Sequence, residues 1–142
     1  MAYDRADWHY GGDYPADLLP ENAGTHIGMF IAWAINHDLE GDLHREDSAA
    51  SVEFVRQRLM TGREFLLSEC DEKFWEEDLN DQGNAFAGWY YASEGPYMQD
   101  YERTLAADLE SVYHVADTWE NYDKLAVVID GRFDEWRRAN ER

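Results

Sequence analysis

From Gly24 to His37 the chain is apolar almost all the way round a helix. Ile27, Phe30, Ile31, Ala34 and Ile35 recur at spacings of three and four, and the other side carries Met29 and Trp33. A helix without a polar face has to be enclosed by its own domain. The other segments must therefore supply apolar faces around it. With 142 residues the chain has the length of one domain, long enough to bury roughly 68–70% of the surface of its unfolded state.

The enclosing segments read as mainly α. Residues 1–22 form an irregular wrapping segment, with aromatic anchors Tyr3, Trp8, Tyr10 and Tyr14 between the turn formers Gly11, Gly12, Pro15 and Pro20. Residues 23–139 form a helical core. After the central helix, Glu40 to Asp47 reads as a polar connection, and a second helix starts at Ser48 with Val52, Val55 and Leu59 on one face. A short helical piece carries Phe65 and Leu66. Phe86, Trp89 and Tyr90 keep helical spacing until Gly95-Pro96, with Asn80 or Asp81 as N-cap, and Pro96 opens a helix bearing Tyr97, Tyr101 and Leu105. Val112 to Val115 is too short to assign and leaves a strand open. Asp117-Thr118-Trp119-Glu120 reads as a capping box for a last helix through Tyr122, Leu125, Ile129, Phe133 and Trp136. The expectation is a single domain, 1–142, of five or six helices with at most one short strand pair.

Charge limits what such a domain can bind. Thirty-one Asp and Glu stand against 12 Lys and Arg, a formal net charge of -19. With 6 Trp, 9 Tyr and 6 Phe the chain is too aromatic for a disordered acidic tail, so the acid lies on a folded surface. Nucleic acid and anionic membranes are excluded as partners, because both require clustered Lys and Arg. No apolar run approaches a membrane span, the first residues lack a signal peptide's pattern, and a lone Cys70 suits a reducing compartment. The expected location is cytoplasmic. Self-repulsion favours a monomer when free.

Catalytic patterns are weak. No HExxH occurs, His26 and His37 lie about three turns apart on one helix, and Gly11-Gly12 lacks the Lys and strand-to-helix setting of a phosphate loop. Acidic neighbours raise the Cys70 thiol, which argues against a nucleophile. No catalytic residue, metal or cofactor is expected. The enzyme alternative is a metal-dependent hydrolase that gathers His9, Asp13, His26, His114 and Asp117 through folding. A non-catalytic adaptor, acidic only for solubility, is the other.

What remains is the surface. An acidic face steers a basic partner and an exposed aromatic anchors it. The candidate partner-binding residues are Trp75 with Glu76, Glu77, Asp78 and Asp81, and a second strip at Glu40, Asp42, Glu46 and Asp47.

Three segments, Trp8-His9-Tyr10-Gly11-Gly12-Asp13-Tyr14-Pro15, Thr25-His26-Ile27-Gly28-Met29-Phe30 and Tyr113-His114-Val115-Ala116-Asp117-Thr118-Trp119, resemble a family of small acidic bacterial proteins of unknown function. Members of this kind look like the immunity proteins that accompany polymorphic or secreted toxins. The resemblance implies a stand-alone cytoplasmic domain that neutralises a cognate toxin, with an acidic surface occluding a basic cleft. It carries over no catalytic residue.

Overall fold

A computed structural model describes residues 2–9, 14–92 and 95–140. Its centre is helix α1, Thr25–Asn36, in which every residue from Thr25 to Ile35 is buried. The chain turns out of α1 at Asp38, which adopts a left-handed backbone. Around α1 lie α2 (Asp42–Asp47), α3 (Ala49–Arg56), α4 (Gly62–Glu69), α5 (Asp81–Tyr90), α6 (Tyr97–Tyr101, continued by a π turn at Glu102–Ala106) and α7 (Trp119–Asn140). A two-stranded antiparallel sheet joins β1 (Ala2–Arg5) to β2 (Lys73–Trp75). The domain is mainly α, with seven α-helices and one short strand pair among the described residues. Among the described residues, no helix is long and apolar enough to cross a membrane.

The tightest contact in the core runs backbone to backbone. α1 meets α4 where Gly28 faces Gly62, and a Cβ on either would overlap the backbone of the facing helix at Gly28, Gly62 or Arg63. Only glycine allows that approach. Thr61 caps α4 by accepting from the Glu64 N–H (3.2 Å), and the Glu64 carboxylate accepts in turn from the Thr61 N–H (3.0 Å). α7 lays its predicted stripe of Tyr122, Leu125, Ile129 and Phe133 on the core. Two polar anchors fix its angle: Arg132 on buried Asp100 (2.9 and 3.1 Å), and Trp33 Nε1–H donating to Asp130 (2.9 Å).

Several expectations are corrected. Glu40 to Asp47 is not merely a connection, because it holds α2, whose single buried residue is His44. Leu59 lies beyond the end of α3 and is exposed. Val112–His114, left open between strand and other structure, is a 3-10 turn. Thr118, not Asp117, caps α7, accepting from the Asn121 N–H (3.1 Å). The first residues are a strand, and Trp8 is exposed instead of anchoring the core. Tyr10 and the Gly11-Gly12 pair lie outside the described residues.

A bulge in β1 sends two successive side chains into the protein. The pairing slips between Ala2, opposite Trp75, and Asp4, opposite Phe74. An extra residue in one strand re-aims a side chain. Tyr3 accordingly packs on Phe74 with ring centroids 5.0 Å apart, while the neighbouring Asp4 is also turned inward.

Candidate functional site

The two acidic strips are adjacent in space. Glu40 forms a β-bridge with Leu79, the Gly41 N–H donates to the Asp78 carbonyl (3.0 Å), and the Asn80 N–H donates to the Leu39 carbonyl (2.8 Å). Gly41 permits this contact, since a Cβ there would overlap the Glu77 carbonyl. Asp42, Glu46 and Asp47 are exposed on one strip, and Glu76, Glu77 and Asp81 on the other. Trp75 beside them is half-buried. Of the two expected caps, Asn80 and not Asp81 caps α5, by accepting from the Gly83 N–H (2.8 Å).

Glu40 and Asp78 do not belong to that surface. The bridge between their segments turns both inward, leaving them 2% and 6% exposed. Glu40 pairs with Arg56 and lies 3.9 Å from Arg45, and its Oε1 has no hydrogen-bond partner. Asp78 accepts from the Trp75 N–H through Oδ2 (2.7 Å) and meets His44 Nε2 at 2.8 Å through Oδ1. Neither carboxylate is available to a partner.

On β1, the strand paired with β2, lies a cluster that sequence reasoning missed in its central member. Asp4 gathers His9 Nε2 (2.6 Å) and the Arg5 N–H (2.8 Å) on Oδ1, and His26 Nε2 (3.0 Å) and the Tyr91 hydroxyl (2.6 Å) on Oδ2. His9 Nδ1 in turn meets the Tyr113 hydroxyl at 2.8 Å. Burial pushes the Asp4 carboxyl up, but the hydrogen bonds from His26 and His9 outweigh it and hold Asp4 well below the usual carboxylate range. Burial likewise lowers His26, against the pull of Asp4. A neutral His26 donating Nε2–H to an ionised Asp4 satisfies both shifts. No local signal pointed here: Asp4 stands between Tyr3 and Arg5 at the head of the chain, and its Tyr91 partner lies 87 residues away.

Of the five residues in the hydrolase alternative, folding brings together His9 and His26. His114 instead meets Asp17 (3.0 Å) and Ser111 (2.8 Å). Asp117 accepts from Thr61 (2.7 Å) and lies 3.4 Å from Arg63, with burial raising its carboxyl. Asp13 lies outside the described residues. His37 stacks on Trp33 and pairs with Asp130 at 3.0 Å.

Cys70 is buried beside His44 and Asp78, and burial first, then Asp78 and Glu69, pushes its thiol up. The direction agrees with the expectation of an unreactive thiol. The acids responsible are Asp78 and Glu69, not the adjoining Asp71 and Glu72.

The chain belongs to the family described as Domain of unknown function (DUF7832), which it matches over residues 2–115. That span holds the Asp4 cluster and both acidic strips and ends before α7. Neither the curated proteins nor the solved structures contain a match to the chain.

Proposed function

We propose that this domain is an immunity protein: a cytoplasmic, monomeric binding domain that neutralises a cognate bacterial toxin without chemistry of its own. The observation that carries the reading is the joining of two acidic strips, Asp42, Glu46 and Asp47 with Glu76, Glu77 and Asp81, into one exposed face of a chain with net charge -19. Such a face raises the association rate with a basic surface, and the partner's phosphate-accepting cleft is the natural complement. Half-buried Trp75 is the aromatic edge that slows dissociation once the surfaces meet.

The test uses a variant carrying Glu76→Gln, Glu77→Gln and Asp81→Asn. The wild-type protein is expected to capture one basic protein at low salt and to suppress its toxicity on co-expression. The variant is expected to associate at least about tenfold more slowly. Equal association of the two, unchanged by salt, would remove the electrostatic part of the proposal, and absence of any toxin partner would remove the whole.

A second reading, an acid–base or metal-assisted hydrolase, is favoured by the convergence of His9 and His26 on Asp4. It predicts ester or phosphoester turnover that disappears in His9→Ala, where the immunity reading predicts no turnover to lose.

A further inference from the structure

We infer that His44, Cys70 and Asp78 form a binding site for a divalent cation of the zinc class. The three donors come from separate elements: His44 from α2, Cys70 from the residue after α4, and Asp78 from the 3-10 turn that follows β2. They are 1%, 9% and 6% exposed. Cys70 Sγ lies 3.8 Å from His44 Nε2 and 3.7 Å from Asp78 Oδ1, and Nε2 lies 2.8 Å from Oδ1.

These edges are close to those of a tetrahedral centre. With a metal–sulfur bond of about 2.3 Å and metal–nitrogen and metal–oxygen bonds of about 2.0–2.1 Å, sulfur stands about 3.6 Å from N or O, and N stands about 3.3 Å from O. The sulfur edges, at 3.8 and 3.7 Å, are already close to that length. Only the His44–Asp78 edge has to open, by about half an ångström. Thiolate, imidazole and carboxylate together suit zinc or cobalt, whereas magnesium and calcium select all-oxygen sites. Three protein donors leave the fourth position for a water.

The surroundings provide what the ligands need. Binding requires His44 Nε2 to give up its proton, which then sits on Nδ1, 3.4 Å from Ser48 Oγ. Ser48 donates its own hydrogen to Glu69 Oε2 (2.9 Å), so its oxygen is free to accept Nδ1–H. The Cys70 proton leaves to solvent. Asp78 keeps its orientation, because Oδ2 stays on the Trp75 N–H while Oδ1 exchanges two hydrogen-bond neighbours for the cation. At Asp4, by contrast, both oxygens are already taken by strong donors. A cation under Asp78 would tie α2 to the turn after β2, the two elements that carry the acidic strips. The inference does not depend on the immunity reading.

The experiment titrates Co2+ into the full chain after chelator treatment in a metal-free reductant. The expected result is one equivalent bound, with a thiolate-to-cobalt charge-transfer band in the near ultraviolet, four-coordinate visible bands, and displacement by Zn2+. The chain has one Cys, so any thiolate band reports Cys70. Cys70→Ser is expected to abolish the band, and Ser48→Ala to weaken binding about tenfold through the lost partner of Nδ1. Saturating Co2+ that gives no thiolate band in the wild-type protein overturns the site, and so does cobalt binding whose spectrum is unchanged by Cys70→Ser. The wild-type titration is decisive even where a variant fails to fold.

Discussion

Asp4 and Asp78 are two buried aspartates, each facing histidine, in the same small domain, and they are finished differently. Asp4 receives two imidazoles, a tyrosine hydroxyl and a backbone N–H, so both of its oxygens are occupied by good donors. Asp78 receives one imidazole and one backbone N–H at short distance, and its remaining neighbour is a thiol at 3.7 Å. A thiol is a weak donor, and burial keeps this one protonated. The same starting group therefore gives a closed hydrogen-bond hub at one place and, at the other, an incomplete shell whose third member becomes a strong ligand only when a metal displaces its proton to solvent. What decides between them is the chemistry of the last neighbour, not burial.

The largest effect should come from the hub. Asp4→Ala strands Tyr91, His26, His9 and the Arg5 N–H at once, and at about 1–3 kcal/mol for each buried donor left without an acceptor it is expected to cost at least about 3–5 kcal/mol. Asp78→Ala, in metal-free protein, leaves fewer strong donors unpaired and is expected to cost about 1–3 kcal/mol. Urea unfolding of both variants by circular dichroism measures the difference. Equal losses would mean that the two carboxylates do the same structural work and would break the comparison.

How much of this was legible in the sequence depends on the range of the interactions. The central helix was readable because apolar residues lie on every side of it up to Ile35 and leave it no polar face, and the stripe from Tyr122 to Phe133 because its spacing is local. Asn80 was readable as a cap for the same reason. α2 was not, since it buries only His44 and so shows no apolar period. Glu40 and Asp78 read as surface acids because nothing local reveals the bridge that turns them inward. The acidic strips themselves were visible, but their adjacency was not. Asp4 needed Tyr91 and His26 to give it meaning, and no pattern in β1 names them.

The second effect is a pH dependence that belongs to the hub. His26 is lowered in the folded protein, so its contribution to stability is complete above the unfolded value of about 6.5 and is lost as pH falls toward the lower folded value. Asp4, also lowered, keeps its contribution down to about 3.9 and loses it only below that. Asp117, raised by burial, has the opposite slope. The protein should therefore lose stability between neutral pH and pH 5, by about 1.4 kcal/mol for each unit that His26 is displaced. Urea midpoints across that range should flatten in His26→Gln. A slope that survives the substitution would place the proton uptake elsewhere.

The smallest effect sharpens the other half of the comparison. In metal-free protein Cys70→Ala removes one sulfur and a weak hydrogen bond from a buried site, and a cost of about 1 kcal/mol is expected from the small cavity. Zinc should change that number and leave the cost of Asp4→Ala as it was, because that variant keeps all three proposed ligands. A ligand that binds only the folded state stabilises it by about 2.7 kcal/mol at a hundred times its Kd. The gap between wild type and Cys70→Ala should therefore widen by about that much when unfolding is repeated with zinc at that excess. If the gap stays at its metal-free value, the thiol beside Asp78 is only a packing group. The two aspartates would then differ in how completely they are satisfied and not in what they can bind.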